Sequence, residues 1–521
     1  MHDQLIQALR LLPDRLAWHV ILSASALALA CALSLPLAVL AYRHRGLRLP
    51  LLGFSSLVQT IPSLALLALF YPLLLGLSAL TKTVLHHGFS ALGYLPSLLA
   101  LSLYAMLPLL RNTMAALDGI DPAVIEAARG VGMTAKQRLR LVELPLAAPV
   151  IMAGVRTASV WTIGAATLST PIGQTSLGDY IFSGLQTENW IDVLVGVAAS
   201  AVLALVVDQL LARVERGLGA SGGAGRAGTR LGLGALAVVL ALAVSPLLIP
   251  AAGGGYVIGA KTFSEQYILA ELTAQRLERA RAHVTRKLNL GSAVAYRALA
   301  AGDLDVYVDY SGTLWTNVLG RTDNPGREAV LKQLTAELKA RDGVTVLGPL
   351  GFENAYALAM QRNTAMRLGI RSLIDLTLVA PSLRFGSDLE FTSRSEWASL
   401  QTAYGLKFGQ IKQFEPTFMY RALEGGEADV ITAFSSDGRI AADNLLVLPD
   451  PRGALPPYDA VVLISAKRAG DARLIGALRP LIGKIDADTM RRANLSVDRD
   501  TNKVSPAEAA RSLGDSIGLP R

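Results

Sequence analysis

Residues 121–145, DPAVIEAARGVGMTAKQRLRLVELP, carry the chain's densest group of residues suited to more than packing. Asp121 is placed to cap a helix whose first residue is Pro122, a strong start signal. Gly132 permits a turn, and TAKQRLRLVEL restarts as a second helix. Small side chains at Ala127 and Ala128 let another protein approach closely, and Glu126 can pair with a partner's cation. The chemistry on offer is docking, not bond making. No G-x4-G-K-[ST] phosphate loop occurs, so ATP is not expected to bind here by the usual P-loop route. No G-x-S-x-G elbow stands out either. His86 and His87 lie together beside an apolar block and read as interfacial residues, not metal ligands. No catalytic residue, metal site or cofactor is expected in this chain, and an enzyme reading has nothing to hold.

The segment that could dock a partner lies between apolar blocks. Charged residues make up 17% of the 521 residues, against roughly 25% in soluble domains, and mean hydropathy is +0.40. The apolar blocks are confined to residues 1–250. About 20 apolar residues cross the hydrocarbon core, which predicts spans at 18–42, 50–78, 90–110, 146–170, 191–212 and 231–250. Pro62 predicts a kink or break in the second. Arginines and lysines cluster after the first, third and fifth spans, while the alternate loops hold only Lys82. The positive-inside rule then puts the 111–145 loop in the cytoplasm and everything after residue 250 outside. The same rule explains much of the N-terminal excess behind the net charge of +8 better than nucleic-acid binding does. The lone cysteine, Cys31, excludes an intrachain disulfide. Arg156 in the fourth span should face the bundle interior or water, because a lipid-facing charge costs about 3 kcal/mol. Asp208 reads as a packing or topological charge.

Residues 217–230, GLGASGGAGRAGTR, predict a flexible cytoplasmic linker, and 251–255 a second linker ahead of a water-soluble domain at 256–521. There YVIGAK, LDVYVDYSG, ADVITAFSSDG and YDAVVLIS read as strands, and SEQYILAELTAQRLERA as an amphipathic helix. The alternation predicts α/β structure, and some 265 residues suit two lobes better than one. The fold class is thus multidomain: an all-α membrane part of about six helices followed by a two-lobed α/β domain.

Glu126, Ala127, Ala128, Gly132, Val142, Leu144 and Pro145 fit the pattern E-A-A-x3-G-x9-[IV]-x-L-P. The segment resembles the cytoplasmic coupling loop of ABC importer permeases. The second half resembles the substrate-binding proteins of osmoprotectant importers, which take up glycine betaine, choline and carnitine. GAKTFSEQYILAEL looks like that family's first strand and helix, with Lys261 at the strand end. VDYSGTLW matches its Y-[ST]-G-T turn at Tyr310 to Thr313. ENAYALAM gives Asn354 and Tyr356, SDLEFTSRSE gives Glu390 and Arg394, and Tyr420 and Phe434 fill two later positions. The resemblance implies an ABC importer subunit of type I permease and type II binding-protein form. It implies two copies of the chain, a separate ATPase that consumes the ATP, and a bacterial inner membrane location with a periplasmic or extracellular C-terminal domain.

Chemistry agrees with those residue types. A quaternary ammonium has no N–H to donate, so its site must offer π faces, each contributing about 0.5–2 kcal/mol. Tyr310, Tyr356 and Tyr420 are the expected cage. Lys261 and Arg394, with Thr313 and Asn354, would take a ligand carboxylate. Glu390 either pairs with Arg394 or meets a ligand cation or ring N–H. Phe434, where some relatives have tyrosine, keeps ergothioneine open as the ligand. A ligand-gated channel or membrane sensor is the reading of another class. It needs neither ATPase nor coupling loop.

Overall fold

The computed structural model describes residues 2–85, 89–187, 189–220, 223–245, 255–321, 323–499 and 501–519. His86, His87 and most of the 251–255 linker lie outside them. The chain divides into two compact units, Met1–Phe182 with Ile191–Pro250, and Ser183–Trp190 with Ala251–Arg521.

The first unit is helical: α1 (His2–Arg43), α2 (Arg48–Thr60), α3 (Ser63–Leu85), α4 (Tyr94–Asp118), α5 (Pro122–Gly130), α6 (Ala135–Arg138), α7 (Leu144–Ala166), the first half of α8 (Gly178–Gln186), nearly all of α9 (Trp190–Gly219) and α10 (Gly223–Val244). Among the described residues five stretches are long and apolar enough to cross a membrane: Ala8–Arg43, Ser63–Thr81, Tyr94–Asp118, Ala135–Ile172 and Trp190–Gly219. The predicted sixth span is the shorter α10, with its apolar part at Ala227–Ala241. Most of the predicted 217–230 linker is helical, divided between α9 and α10.

The predicted 50–78 span is two helices. Ile61 turns extended before Pro62, as a residue preceding proline prefers, and its freed carbonyl accepts the Tyr104 hydroxyl. Small residues let α1, α4 and α7 approach closely, with Ala30, Ala105 and Ala158 fully buried together and Gly154 seated against Asn112. Arg156 binds Asp208 through two contacts of 3.0 Å and Glu215 at 2.6 Å, so α7 and α9 are tied by three charges.

The 111–145 segment is more continuous than a loop. α4 runs on to Asp118, and Asp121 caps α5 by accepting from the Ala123 amide at 2.9 Å. Gly132 takes φ +81°, and Thr134 and Gln137 form a capping box that starts α6. The second helix is not free-standing: α6 passes through a π-helical turn, Leu139–Glu143, directly into α7, where Pro145 lies in the first turn. Buried Glu143 pairs with Arg138 at 2.5 Å across that turn. Glu126, Ala127 and Gly132 are exposed, but Ala128 is buried against its own chain, so it supports the loop and does not offer a docking contact.

The second unit has two five-stranded sheets. The first uses β1 (Tyr256–Lys261), β2 (Val284–Leu290), β3 (Val306–Tyr310), β4 (Thr345–Glu353) and β10 (Asp459–Ile464), in the order β2-β1-β3-β10-β4. The other uses β5 (Tyr356–Gln361), β6 (Arg384–Ser387), β7 (Gln410–Gln413), β8 (Val430–Phe434) and β9 (Leu445–Leu448), in the order β7-β6-β8-β5-β9. In each, three strands are parallel, and antiparallel β10 or β5 is inserted beside them. The chain crosses between lobes at 354–355 and returns after β9 into β10. The helix α11 (Ser264–Arg279) packs on the first sheet through Ile268, Leu272 and Leu277.

Candidate functional site

The carboxyl ends of parallel strands in α/β lobes leave a crevice where ligands bind, and the named residues gather there. Lys261 ends β1, Tyr310 ends β3 and Thr313 follows in the first turn of a helix. Asn354 and Tyr356 sit at the crossover, Glu390 and Arg394 follow β6, and Phe434 ends β8. All eight line one cavity of about 270 Å³.

One wall is aromatic. Phe263 stacks between Tyr310 and Phe434, with centroids 6.1 and 6.3 Å away. Tyr356 continues the wall 5.0 Å from Phe434, and Tyr458 closes it 5.8 Å from Tyr356 at 84°. Burial holds the phenols of Tyr310, Tyr356 and Tyr458 well above their usual pKa, so all three present neutral rings.

The two expected anion-catching cations are already engaged. Lys261 pairs with buried Asp309. Arg394 donates to Glu396 at 2.7 and 3.1 Å, to Glu390 at 2.7 Å and to the Tyr458 hydroxyl at 3.1 Å. Burial works to raise the Glu396 carboxyl, but Arg394 and the Tyr458 hydroxyl hold it below the usual range. Asp388 caps the helix Leu389–Ser393 with one oxygen, 2.6 Å from the Phe391 amide. Its other oxygen accepts no hydrogen bond from the described residues. Burial pushes this carboxyl up. With Glu390 and Glu415, three carboxylates line the cavity beside two cations.

Tyr420 does not belong to this wall. It lies in the second lobe's core with Met419, Leu423 and Ile431, where the Arg439 guanidinium covers its ring at 3.9 Å. Helical spacing turns it toward the sheet's packed face.

Residues 27–220 match the inner membrane component of binding-protein-dependent transport systems, and residues 255–513 the substrate binding domain of ABC-type glycine betaine transport systems. A Helicobacter pylori (strain G27) protein described as the ergothioneine transport permease/ergothioneine binding protein EgtU is 30% identical over 497 residues, covering 92% of this chain and 84% of that protein. The chain belongs to the fused permease and substrate-binding subunits of ABC importers. The importer subunit is also 40% identical over 204 residues to the Bacillus subtilis (strain 168) choline transport system permease protein OpuBB, across 39% of this chain and 87% of the relative. Among solved structures it resembles that of a glycine betaine/carnitine/choline ABC transporter, at 27% identity and TM-score 0.45, covering 50% of this chain and 98% of that one.

The importer subunit's cavity is aromatic and charged. Among the described residues no group of three or more His, Cys, Asp or Glu side chains is placed to hold a metal ion. Phe263, Tyr458, Asp388, Phe414 and Glu415 line the importer's cavity but were not anticipated. Phe263 was within reach, two residues beyond Lys261 in the quoted GAKTFSE segment.

The Y-S-G-T turn is explained by Tyr458. A Cβ on Gly312 would meet three atoms of that ring at 2.7 Å, closer than real contacts allow. Gly312→Ala should therefore cost about 1–3 kcal/mol through overpacking, read as a fall of several degrees in the unfolding midpoint. Made in a Tyr458→Leu background, the same change should cost far less.

Proposed function

We propose that this importer subunit captures a trimethylammonium compound in the aromatic cavity and passes it through its own helical unit. A separate ATPase, engaging the exposed part of 121–134, would supply the energy, and two copies of the chain would enclose one pathway. Arginine and lysine placement supports a cytoplasmic 121–134 turn and a C-terminal unit on the outer side of a bacterial inner membrane. The observation that carries the ligand reading is the continuous wall of Tyr310, Phe263, Phe434, Tyr356 and Tyr458. It offers neutral π faces beside an acidic edge, the surroundings that suit a cation unable to donate hydrogen bonds.

A second reading narrows the ligand to ergothioneine. It is favoured by Asp388 and Glu390, acceptors suited to a ring N–H that glycine betaine lacks, and by the relative that spans both parts of the chain. Calorimetry of the purified chain in nanodiscs, with glycine betaine, choline, carnitine, ergothioneine and unmethylated histidine, tests both readings. The trimethylammonium compounds should bind and histidine should not, with ergothioneine at least tenfold tighter than glycine betaine. Binding of histidine alone, or of none, overturns the class. Glycine betaine displacing ergothioneine at equal concentration overturns only the narrower reading.

A further inference from the structure

One helix of the C-terminal unit lacks the polar outer face that a solvent-facing helix carries. Leu373–Ser382 is an apolar helical run too short to cross a bilayer, which takes about 20 residues. Leu373, Leu376 and Ala380 bury one face in the core. On the other face Ile374 and Leu378, one turn apart, are 46% and 85% exposed. A helix that is apolar all round belongs in a core or in lipid. Single leucines on a surface need no explanation, but these are not scattered. Met366, 67% exposed, and exposed Leu368 end the preceding helix, Arg362–Leu368. The turn 369–372 that joins the two helices is pinned by buried Ile370 and by Asp375, which accepts from the Arg371 amide at 2.9 Å and the Ser372 hydroxyl at 3.1 Å.

The rim of this face is basic. Arg367 and Arg371 stand at its start, and Lys407 is brought to its far end. There the Thr377 hydroxyl donates to the Tyr404 carbonyl at 3.3 Å, and the Gly409 amide to the Ala380 and Leu383 carbonyls at 3.2 and 3.1 Å. All three cations are exposed, and among the described residues neither Arg367 nor Lys407 forms an ion pair. The neighbouring carboxylates are engaged: Asp375 caps the turn, and Asp450 accepts from the Tyr404 hydroxyl and the Leu455 amide. Between Arg362 and Leu383 the single acidic residue is Asp375, and 405–412 holds none.

Exposed aliphatic side chains rimmed by arginine and lysine match the boundary of an anionic bilayer, where the chains meet acyl groups and the cations meet headgroup phosphates. Connectivity favours that partner. The run 245–255 ties this unit to α10, and even fully extended it reaches only about 40 Å. The unit is therefore held beside the bilayer permanently, and a weak attraction suffices to dock it.

We propose that this face of the second lobe, centred on Ile374 and Leu378, rests on the surface of an anionic lipid bilayer. The inference needs only that the helical unit spans a membrane, and it holds for whichever solute the cavity takes.

The test is spin labelling of the full chain in nanodiscs. A nitroxide is placed at Leu378→Cys or Ile374→Cys in a Cys31→Ala background, with Lys332→Cys, exposed on the first lobe, as the water-facing reference. In equimolar phosphatidylglycerol and phosphatidylcholine, labels at 374 and 378 should collide more with dissolved oxygen and less with a water-soluble nickel chelate than the reference does. Pure phosphatidylcholine should reverse much of this. Each arginine adds about fivefold to attraction by an anionic surface, so Arg367→Gln with Arg371→Gln should lower the ratio of docked to undocked label roughly 25-fold. Calorimetric affinity for solute should stay unchanged in that double variant, which keeps this test separate from the capture reading. Labels protected from both oxygen and nickel would mean that protein covers the face, either the helical unit or a second copy, and would overturn the proposal. Nickel access equal to the reference in both lipids, or identical docking in both, overturns it too.

Discussion

Arg394→Ala should abolish solute capture and lower the stability of the C-terminal unit by about 3–5 kcal/mol, the usual result of removing one partner of a buried ion pair. Glu396 is 1% exposed and takes two of the arginine's hydrogen bonds. Without them its carboxylate keeps the hydroxyls of Tyr458 and, at 3.5 Å, Thr316, neither of which carries a charge to balance it. The loss should appear as a fall of roughly 10 °C in the unfolding midpoint and a weakening of calorimetric affinity by at least a hundredfold. A double change separates the two effects. Arg394→Met with Glu396→Leu removes both charges together, so stability should largely return while capture does not. Arg394→Lys should keep part of the stability and lose most of the affinity, because an ammonium cannot reproduce the guanidinium's fork. Wild-type affinity in Arg394→Ala would remove this residue from the site.

Much of the cavity was legible because strand ends in α/β lobes are easy to read. Lys261, Tyr310 and Phe434 each close a strand that the sequence marks with a β-branched or apolar run followed by turn residues. Tyr458 was missed for a topological reason. It precedes β10, and a residue at a strand's beginning looks remote from a site built on strand ends. β10 runs antiparallel, pairing Ala460 with Tyr310, so its start lies at the same edge as the ends of β1 and β3. Strand direction within a sheet is a long-range property that no local spacing carries. Tyr420 failed in the opposite sense: an aromatic in a helix after a cavity strand resembles a cage member, yet helical phase turns it into the core with Met419 and Leu423. In the membrane half, the break at Pro62 was readable from one residue. The fusion of α6 to α7 was not, since the charged run TAKQRLR suggests a separate surface helix. The ion pair of Arg138 with Glu143 spans the π-helical turn by which that run continues into the bundle.

That fusion gives the 121–134 turn a mechanical character that can be tested. α6, the π-helical turn and α7 form one continuous backbone from Ala135 to Ala166. Along the backbone, a displacement imposed on α5 therefore reaches the bundle through the turn at 131–134 and the end of α4. Gly132 holds that turn in the left-handed region at φ +81°, and a Cβ there would meet nothing within 4 Å. Only backbone conformation, not crowding, opposes substitution. Left-handed geometry costs an ordinary L-residue about 1–2 kcal/mol and disfavours a β-branched one further. Gly132→Val should thus redirect α5 without disturbing the rest of the unit. Solute uptake by the importer reconstituted with the proposed ATPase should fall at least tenfold, with solute affinity of the chain unchanged. Gly132→Ala should lie between, and Gly130→Ala, in ordinary helical backbone with open space around it, should transport normally. Full transport by Gly132→Val would mean that force enters the permease elsewhere. A matching loss of solute affinity would mean that the substitution had damaged the chain as a whole.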